Sequence, residues 1–154
     1  MRLPGRLSAA IDVLADVEAR HRPVAEALKA WGLNNRFAGA GDRAAIGNIV
    51  YDALRRRTSH AYAMGNDTPR ALVLAVAAFD WGETPEELND LFAADTHAPE
   101  VLSADEVRRL SAADPLEDAP EHVRADFPEW AVPSLKLSLG AFWRDEGRAM
   151  AGRP

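Results

Sequence analysis

Three consecutive arginines are the residues of this sequence best suited to a functional site, because their guanidinium groups can bind phosphate. Arg55, Arg56 and Arg57 directly follow an amphipathic stretch that begins at Asp42. An arginine side chain carries a permanent positive charge and a planar fork of donors that matches phosphate oxygens. Cations at this place also complement the negative end of the preceding helix. Two interpretations therefore stay open, a phosphate-contacting patch and a merely solvated helix end.

The stretch from Asp42 to Arg57 is predicted to be a helix that continues toward His60. Asp42 is expected to cap its start, because a carboxylate there accepts from first-turn amides. The apolar residues of the stretch recur every three or four positions and form one stripe that must be buried against other helices. They are Ile46, Ile49, Val50, Ala53 and Leu54.

The rest of the first 112 residues also has helical patterns. Helices are predicted at about 7–20 and 24–31, the second opened by Pro23 and ended by Gly32. Three further starts are indicated by Thr68-Pro69, Thr84-Pro85 and the capping box from Ser103 to Glu106. The run 71–79 is apolar on nearly every face, as in a helix at the centre of a bundle. No strand pattern is present, so the predicted fold is all-α, a bundle of about six to eight helices.

The chain is predicted to have two parts. Residues 1–112 form the helical bundle, and residues 113–154 form a connector followed by a helical extension. Prolines and acidic residues between 114 and 126 indicate a loosely structured connector. Large apolar residues follow it, and they must be buried on the bundle or on another surface.

Charge is divided unevenly along the chain. Residues 1–70 carry 11 Lys/Arg against 7 Asp/Glu (+4), residues 71–154 carry 7 against 17 (−10), and the sum is the net charge of −6. Phosphate binding depends on the local field rather than on the net charge. The basic first half is therefore compatible with nucleic acid, and the acidic second half with a basic partner.

Several classes of function are disfavoured by composition. The sequence has no cysteine, which removes disulfides, thiolate catalysis and cysteine-based zinc sites. The four histidines are scattered, and no metal site is predicted. The most apolar segment is far shorter than the ~20 residues that cross a bilayer. The sequence therefore predicts a soluble, cytoplasmic protein without a membrane partner.

Two separated segments resemble parts of one protein family. The helix from Asp42 to Arg57 resembles the corresponding helix of NusB-like RNA-binding domains. Phe127-Pro128-Glu129-Trp130, with Gly140, is similar to the segment that precedes the catalytic domain in Sun/Fmu-type ribosomal RNA cytosine methyltransferases. Those enzymes carry a NusB-like domain at the N-terminus. The resemblance covers residues from about 7 to 154 and implies a NusB-like helical bundle with a C-terminal helical extension.

The resemblance implies that this chain is the non-catalytic, RNA-positioning part of such an enzyme. Methylation of cytosine at carbon 5 requires a thiolate nucleophile, and this sequence has no cysteine. The methyl donor, S-adenosylmethionine, needs a strand and a glycine-rich turn that this sequence lacks, so it is expected only in a catalytic domain outside this chain.

The expected partners are ribosomal RNA and that catalytic domain. Arg55, Arg56 and Arg57 would contact phosphate, with Arg2 and Arg6 adding to them. The docking surface toward the catalytic domain would consist of Phe127, Pro128, Trp130, Leu135 and Trp143.

Two alternatives remain at this stage. One is a stand-alone NusB-type antitermination factor that binds RNA together with a protein partner, although such a factor has no use for the segment 128–130. The other is a protein-interaction bundle whose acidic half, 83–126, meets a basic partner. The sequence does not define the oligomeric state.

Overall fold

The computed structural model describes residues 1–126, and every regular element in that range is helical. The elements are α1 (Leu3–Arg20), α2 (Val24–Asn34), α3 (Ala40–Arg55), α4 (Arg57–Met64), α5 (Pro69–Ala75), a π-helical turn (Val76–Asp80), α6 (Pro85–Ala94), α7 (Ala104–Leu110) and α8 (Glu121–Arg124). With eight α-helices and no strand over residues 1–126, the predicted all-α class is confirmed. None of the helices described is both long and apolar enough to cross a membrane.

Some predictions fall beyond this range. The helical extension and the proposed docking residues lie outside the described residues. These docking residues are Phe127, Pro128, Trp130, Leu135 and Trp143. The NusB-like topology also stays a prediction.

α5 lies at the centre of the bundle. Its residues 71–75 and the first two residues of the π-helical turn are buried, and the helix packs against α1, α3 and α4. A helix surrounded in this way needs apolar side chains on every face, which is the pattern of the sequence here. α1 also packs on α3. These two helices contribute much of the remaining core through Leu7, Val13, Leu14, Ile46, Ile49 and Val50.

Hydroxyl caps begin three of the helices, as the sequence predicts. The side-chain oxygens of Thr68, Thr84 and Ser103 each accept from the backbone N–H three residues further on. The Glu106 carboxylate in turn accepts from the backbone N–H of Ser103 at 2.9 Å, and the two hydrogen bonds together form a capping box. Each cap satisfies an amide that the helix itself leaves unpaired, and losing one costs about 1 kcal/mol.

Glu106 also joins α7 to the start of α5. Arg70 donates to both oxygens of this carboxylate, from Nε to Oε2 at 2.9 Å and from Nη2 to Oε1 at 3.0 Å. Burial by itself raises the pKa of Glu106, but the hydrogen bonds from Arg70 and Ser103 outweigh it, so this pKa lies below its usual range. The forked contact fixes the geometry between the two helices.

α2 extends past the glycine that was expected to end it. Gly32 lies inside the helix, which ends at Asn34. Asn35 Nδ2 donates to the carbonyl of Trp31 at 2.8 Å and thereby satisfies a carbonyl that the last turn leaves open. An amide side chain after the helix therefore replaces the expected glycine end.

α3 begins earlier than predicted. Gly39 is the N-cap residue, and Asp42 occupies the third helical position, so the prediction of Asp42 as the cap is wrong. The Asp42 carboxylate accepts from the N–H of Gly39 at 3.3 Å. It also accepts from Arg6 Nε and Nη2 at 3.1 and 2.9 Å, which ties α1 to α3. These contacts, the Arg6 hydrogen bond first, lower the pKa of Asp42.

The helix predicted to run through Arg57 is interrupted at Arg56, where φ is −110° and ψ is 21°. The interruption gives α4 a first turn of its own with amides to satisfy. Asp126 does so from 67 residues away, because its two oxygens accept from the backbone N and the Oγ of Ser59 at 2.8 and 2.9 Å. Burial raises the pKa of Asp126 despite these hydrogen bonds. α8 also packs on α4, so part of the predicted connector lies on the bundle.

The left-handed residue Gly65 ends α4 and provides a test of the fold. Its φ is 73°, a conformation that costs an L-residue about 1–2 kcal/mol, and an added Cβ would lie 2.7 Å from the guanidinium of Arg109. Gly65→Ala is therefore expected to lower the free energy of unfolding by about 1–2 kcal/mol in urea denaturation. Gly41→Ala is the control, because nothing lies within 4 Å of its added Cβ. The control should be neutral or stabilising by up to about 1 kcal/mol, and equal losses in both variants would contradict the left-handed turn.

Candidate nucleic-acid interface

Arg57, the last residue of the arginine triplet (Arg55 to Arg57), forms ion pairs with two carboxylates. Its Nη1 donates to Glu18 of α1 at 2.6 Å, and its Nη2 donates to Asp67 at 3.2 Å. The side chain is 39% exposed. A phosphate at Arg57 would have to share the guanidinium with two carboxylates, which already compensate its charge.

The other two members of the triplet also lie beside carboxylates. Arg55 Nη1 is 3.8 Å from Asp52, whose side chain is 6% exposed, and Arg56 Nε is 3.8 Å from Asp80. Arg55 ends α3 and Arg57 begins α4, with the interruption at Arg56 between them, and the carboxylates that the three residues meet lie in different elements. The structure therefore does not gather the triplet into one patch.

The two N-terminal arginines differ from each other. Arg6 is engaged with Asp42 in the α1–α3 contact described above. Arg2 is exposed and makes no ion pair with any residue in 1–126, and it lies at a cavity beside Trp31 and Phe37. Of the five sequence-predicted cations, only Arg2 thus forms no ion pair with a described residue.

A different set of cations is brought together by α2 and α3. Lys29 from α2, Arg36 from the loop and Arg43 from α3 line one open groove of about 380 Å³, which we call the basic groove and which Gly32 and Leu33 complete. Within the part of the chain that the structure describes, none of the three cations forms an ion pair. Among the described residues, the one hydrogen bond made by their side chains runs from Arg43 Nη1 to the carbonyl of Ala38 at 3.3 Å.

Close packing of the two helices forms this groove. Gly32 faces α3, and a Cβ built on it would lie 3.0 Å from Arg43 Cδ, so the absence of a side chain leaves room for the arginine stem. Leu33, at 58% exposure, lines the groove, and Phe37, at 72% exposure, directly follows Arg36 in the loop. Cations interleaved with an exposed aromatic are typical of single-stranded nucleic-acid surfaces.

A larger cavity lies elsewhere, beside α4 and the π-helical turn, with a volume of about 620 Å³. It contains the neighbours Ser59 and His60, but these two side chains meet different carboxylates. Ser59 Oγ donates to Asp126, whereas His60 Nε2 lies 3.0 Å from Asp80. A nucleophile and its base must be hydrogen-bonded to each other, so we interpret these contacts as helix capping and core polarity rather than as catalysis.

Sequence reasoning did not find Lys29, Arg36 and Arg43. They are spread over a helix, a loop and a second helix, and only the packing of α2 on α3 makes them neighbours. One local signal was present, because Phe37 lies outside any helical stripe, directly after Arg36. No three histidine or acidic side chains among residues 1–126 are grouped as a metal ion would require.

The fold and the groove together define a class, an all-α bundle with an unpaired cationic groove between two of its helices. No protein family model, no curated protein and no solved structure matches the chain.

Proposed function

We propose that this chain is an RNA-binding domain that contacts phosphate groups through the basic groove. The observation that carries the proposal is the meeting of Lys29, Arg36 and Arg43 in one groove with no carboxylate paired to them among the described residues. Unpaired cations release counterions from RNA on binding, whereas cations already held by carboxylates gain less. The groove is therefore a better phosphate site than the arginine triplet.

Contacts of this kind position RNA without reading its sequence. The two arginines of the groove offer planar forks to phosphate oxygens, and Lys29 offers a compact charge. Such contacts fix register and orientation, and base contacts must supply any specificity. The function that follows is to hold a single-stranded or locally open RNA against the α2–α3 face.

We further propose that this domain positions ribosomal RNA for a cytosine-C5 methyltransferase whose catalytic domain binds S-adenosylmethionine. The support for this part is the resemblance of the segments 42–57 and 127–130 to that family. Residues 1–126 contain no strand followed by a glycine-rich turn, and the sequence has no cysteine, so we assign them no step of methyl transfer. Their contribution is orientation, which brings a cytosine to the catalytic groups and raises its effective concentration there.

The test compares the affinity of the wild type and of Lys29→Gln/Arg36→Gln for a small-subunit ribosomal RNA fragment at several salt concentrations. Both side chains are exposed and unpaired, so the fold should be unaffected. Each lost phosphate contact on a single strand lowers the slope of log affinity against log salt by about 0.7, so the slope should fall by about 1.4.

Arg20→Gln/Arg108→Gln is the matched control. It also removes two positive charges, from side chains that are 69% and 71% exposed, lie on α1 and α7 and do not line the basic groove. Binding should be weakened much less in this variant. Equal weakening by the two variants would show that only net charge matters, and the absence of any salt-dependent RNA binding would overturn the proposal in favour of a protein-interaction bundle.

A further inference from the structure

The cavity beside Trp31 and Phe37 adjoins the loop that carries Arg36. Its volume is about 390 Å³, and residues of α1, the end of α2 and the α2–α3 loop line it. Successive loop residues serve the two sites, because Asn35 and Phe37 line this cavity whereas Arg36 lines the basic groove. Since consecutive Cα atoms are about 3.8 Å apart, a strand of RNA held by its phosphates in the groove lies next to the cavity.

Phe37 presents an aromatic ring to this cavity that the fold leaves open. The residue is 72% exposed. Its ring centroid lies 6.4 Å from that of the half-buried Trp31, with the planes at 71°. This T-shaped contact orients the phenyl ring, and the high exposure leaves most of its surface accessible. Stacking on such a ring tolerates every base, since each base has a π-face.

Charge distinguishes the cavity from the groove. One permanent cation, Arg2, and two carboxylates, Asp12 and Asp95, line the cavity. The groove is lined instead by three cations that form no ion pair among the described residues. The cavity therefore does not attract a phosphate as the groove does. The neutral part of a nucleotide, its base, is the part that this lining suits.

Hydrogen-bonding groups of both kinds line the cavity. Arg2 can donate and Asp12 can accept, while Ser8 and His97 can each donate or accept. A base edge that presents an amino group and one that presents a carbonyl oxygen therefore both find a partner here. The lining gives no reason for one base to be favoured over another.

We propose that this cavity receives one base of the bound RNA strand, stacked on Phe37, without preference for the identity of the base. The inference rests on the proposed RNA-binding function, in which the basic groove holds the neighbouring phosphates. The two sites then contribute to affinity in different ways. The contribution of the groove falls with salt because it comes from counterion release, whereas the contribution of Phe37 comes from stacking and involves no released counterion.

The first test combines Phe37→Leu with an RNA that has no bases. The probes are oligouridine of about 12 nucleotides, within the usual site size of such surfaces, and an abasic ribose-phosphate strand of the same length. The wild type should bind oligouridine about tenfold more tightly than the abasic strand, because only oligouridine can stack. Phe37→Leu should lose this tenfold advantage and bind the abasic strand as the wild type does. An equal loss for both strands would overturn the stacking role.

Salt dependence and base identity give two further readouts for Phe37→Leu. The slope of log affinity against log salt should stay at the wild-type value, because no cation is lost. Binding of oligocytidine should be weakened by the same factor as that of oligouridine, because stacking tolerates both bases. A smaller slope would mean that the ring supports the phosphate contacts instead, and a loss confined to one pyrimidine would overturn the site without base preference.

Tyr62→Leu is the matched control. Tyr62 is another exposed aromatic, at 41%, but it lies on α4 and lines neither the cavity nor the groove. This variant should bind all three strands as the wild type does. Phe37→Leu should also keep the urea midpoint of the wild type, because its ring is so exposed. Equal weakening of oligouridine binding by the two variants would overturn the assignment of stacking to this cavity.

Failure of this inference is distinguishable from failure of the proposed function. If the wild type binds neither oligouridine nor the abasic strand, or if Lys29→Gln/Arg36→Gln binds oligouridine as tightly as the wild type, the RNA-binding groove is wrong and the base site is overturned with it. If that variant binds more weakly while the wild type binds oligouridine and the abasic strand equally and Phe37→Leu has no effect, the base site alone is overturned. RNA would then be held by its phosphates only.

Discussion

Leu74→Ala is expected to lower the free energy of unfolding by about 3 kcal/mol, within the range of roughly 2–5 kcal/mol for truncated core leucines. Leu74 lies on α5, the central helix, and is 0% exposed. Its removal leaves a cavity that α1, α3 and α4 cannot all close, because each is also packed against other helices. Urea denaturation followed by far-ultraviolet circular dichroism measures the loss.

Leu33→Ala is the matched control for that experiment. The side chain is 58% exposed at the edge of the basic groove, so the same truncation should change the free energy of unfolding by no more than about 0.5 kcal/mol. A loss in Leu33→Ala as large as in Leu74→Ala would mean that the burial assigned to α2 and α5 is wrong.

Replacing the whole arginine triplet, Arg55→Gln/Arg56→Gln/Arg57→Gln, is expected to affect stability more than RNA binding. Three of the carboxylates that would lose a cation are partly shielded from water, with side-chain exposures of 6% for Asp52, 15% for Asp80 and 29% for Glu18, whereas Asp67 is 67% exposed. Removing one partner of a buried pair costs about 3–5 kcal/mol, and an exposed pair contributes about 1 kcal/mol or less. Because each arginine is about one-third exposed, the total loss should be about 2–3 kcal/mol.

A charge-matched variant separates stability from binding. Lys29→Gln/Arg36→Gln/Arg43→Gln also removes three positive charges, yet these residues form no ion pair within residues 1–126. It should lower the free energy of unfolding by no more than about 1 kcal/mol, through the lost hydrogen bond from Arg43 to the Ala38 carbonyl, and should bind the ribosomal RNA fragment most weakly. If the triplet variant kept full stability and lost as much RNA affinity as the groove variant, the original prediction that Arg55, Arg56 and Arg57 bind phosphate would be correct.

Local signals in the sequence determined the starts of three helices. The caps at Thr68, Thr84 and Ser103 were predictable because each hydrogen bond spans only three residues. The central position of α5 was predictable from its all-round apolar composition. The errors at Asp42 and Gly32 also have a local cause. Gly39 serves as the N-cap of α3 in place of Asp42, and Asn35 follows the end of α2 in place of Gly32.

The candidate site was much less predictable. An arginine triplet is conspicuous in a sequence, but whether its charges are available depends on residues that are far away in the chain. Arg57 meets Glu18, 39 residues earlier, and the break beside it is capped by Asp126, 67 residues beyond Ser59. No spacing rule connects such positions, because their separation is set by the packing of helices.

By itself, then, the sequence determined an all-α chain, the capped starts of three of its helices and the helix that lies at its centre. Those properties follow from hydrogen bonds and apolar periodicity within one or two turns. Only the tertiary structure decided which cations are neutralised and which are left to bind a ligand. The packing of α2 against α3 placed Lys29, Arg36 and Arg43 in one groove without a carboxylate partner among the described residues, because electrostatic compensation depends on distance in space and not on distance along the chain.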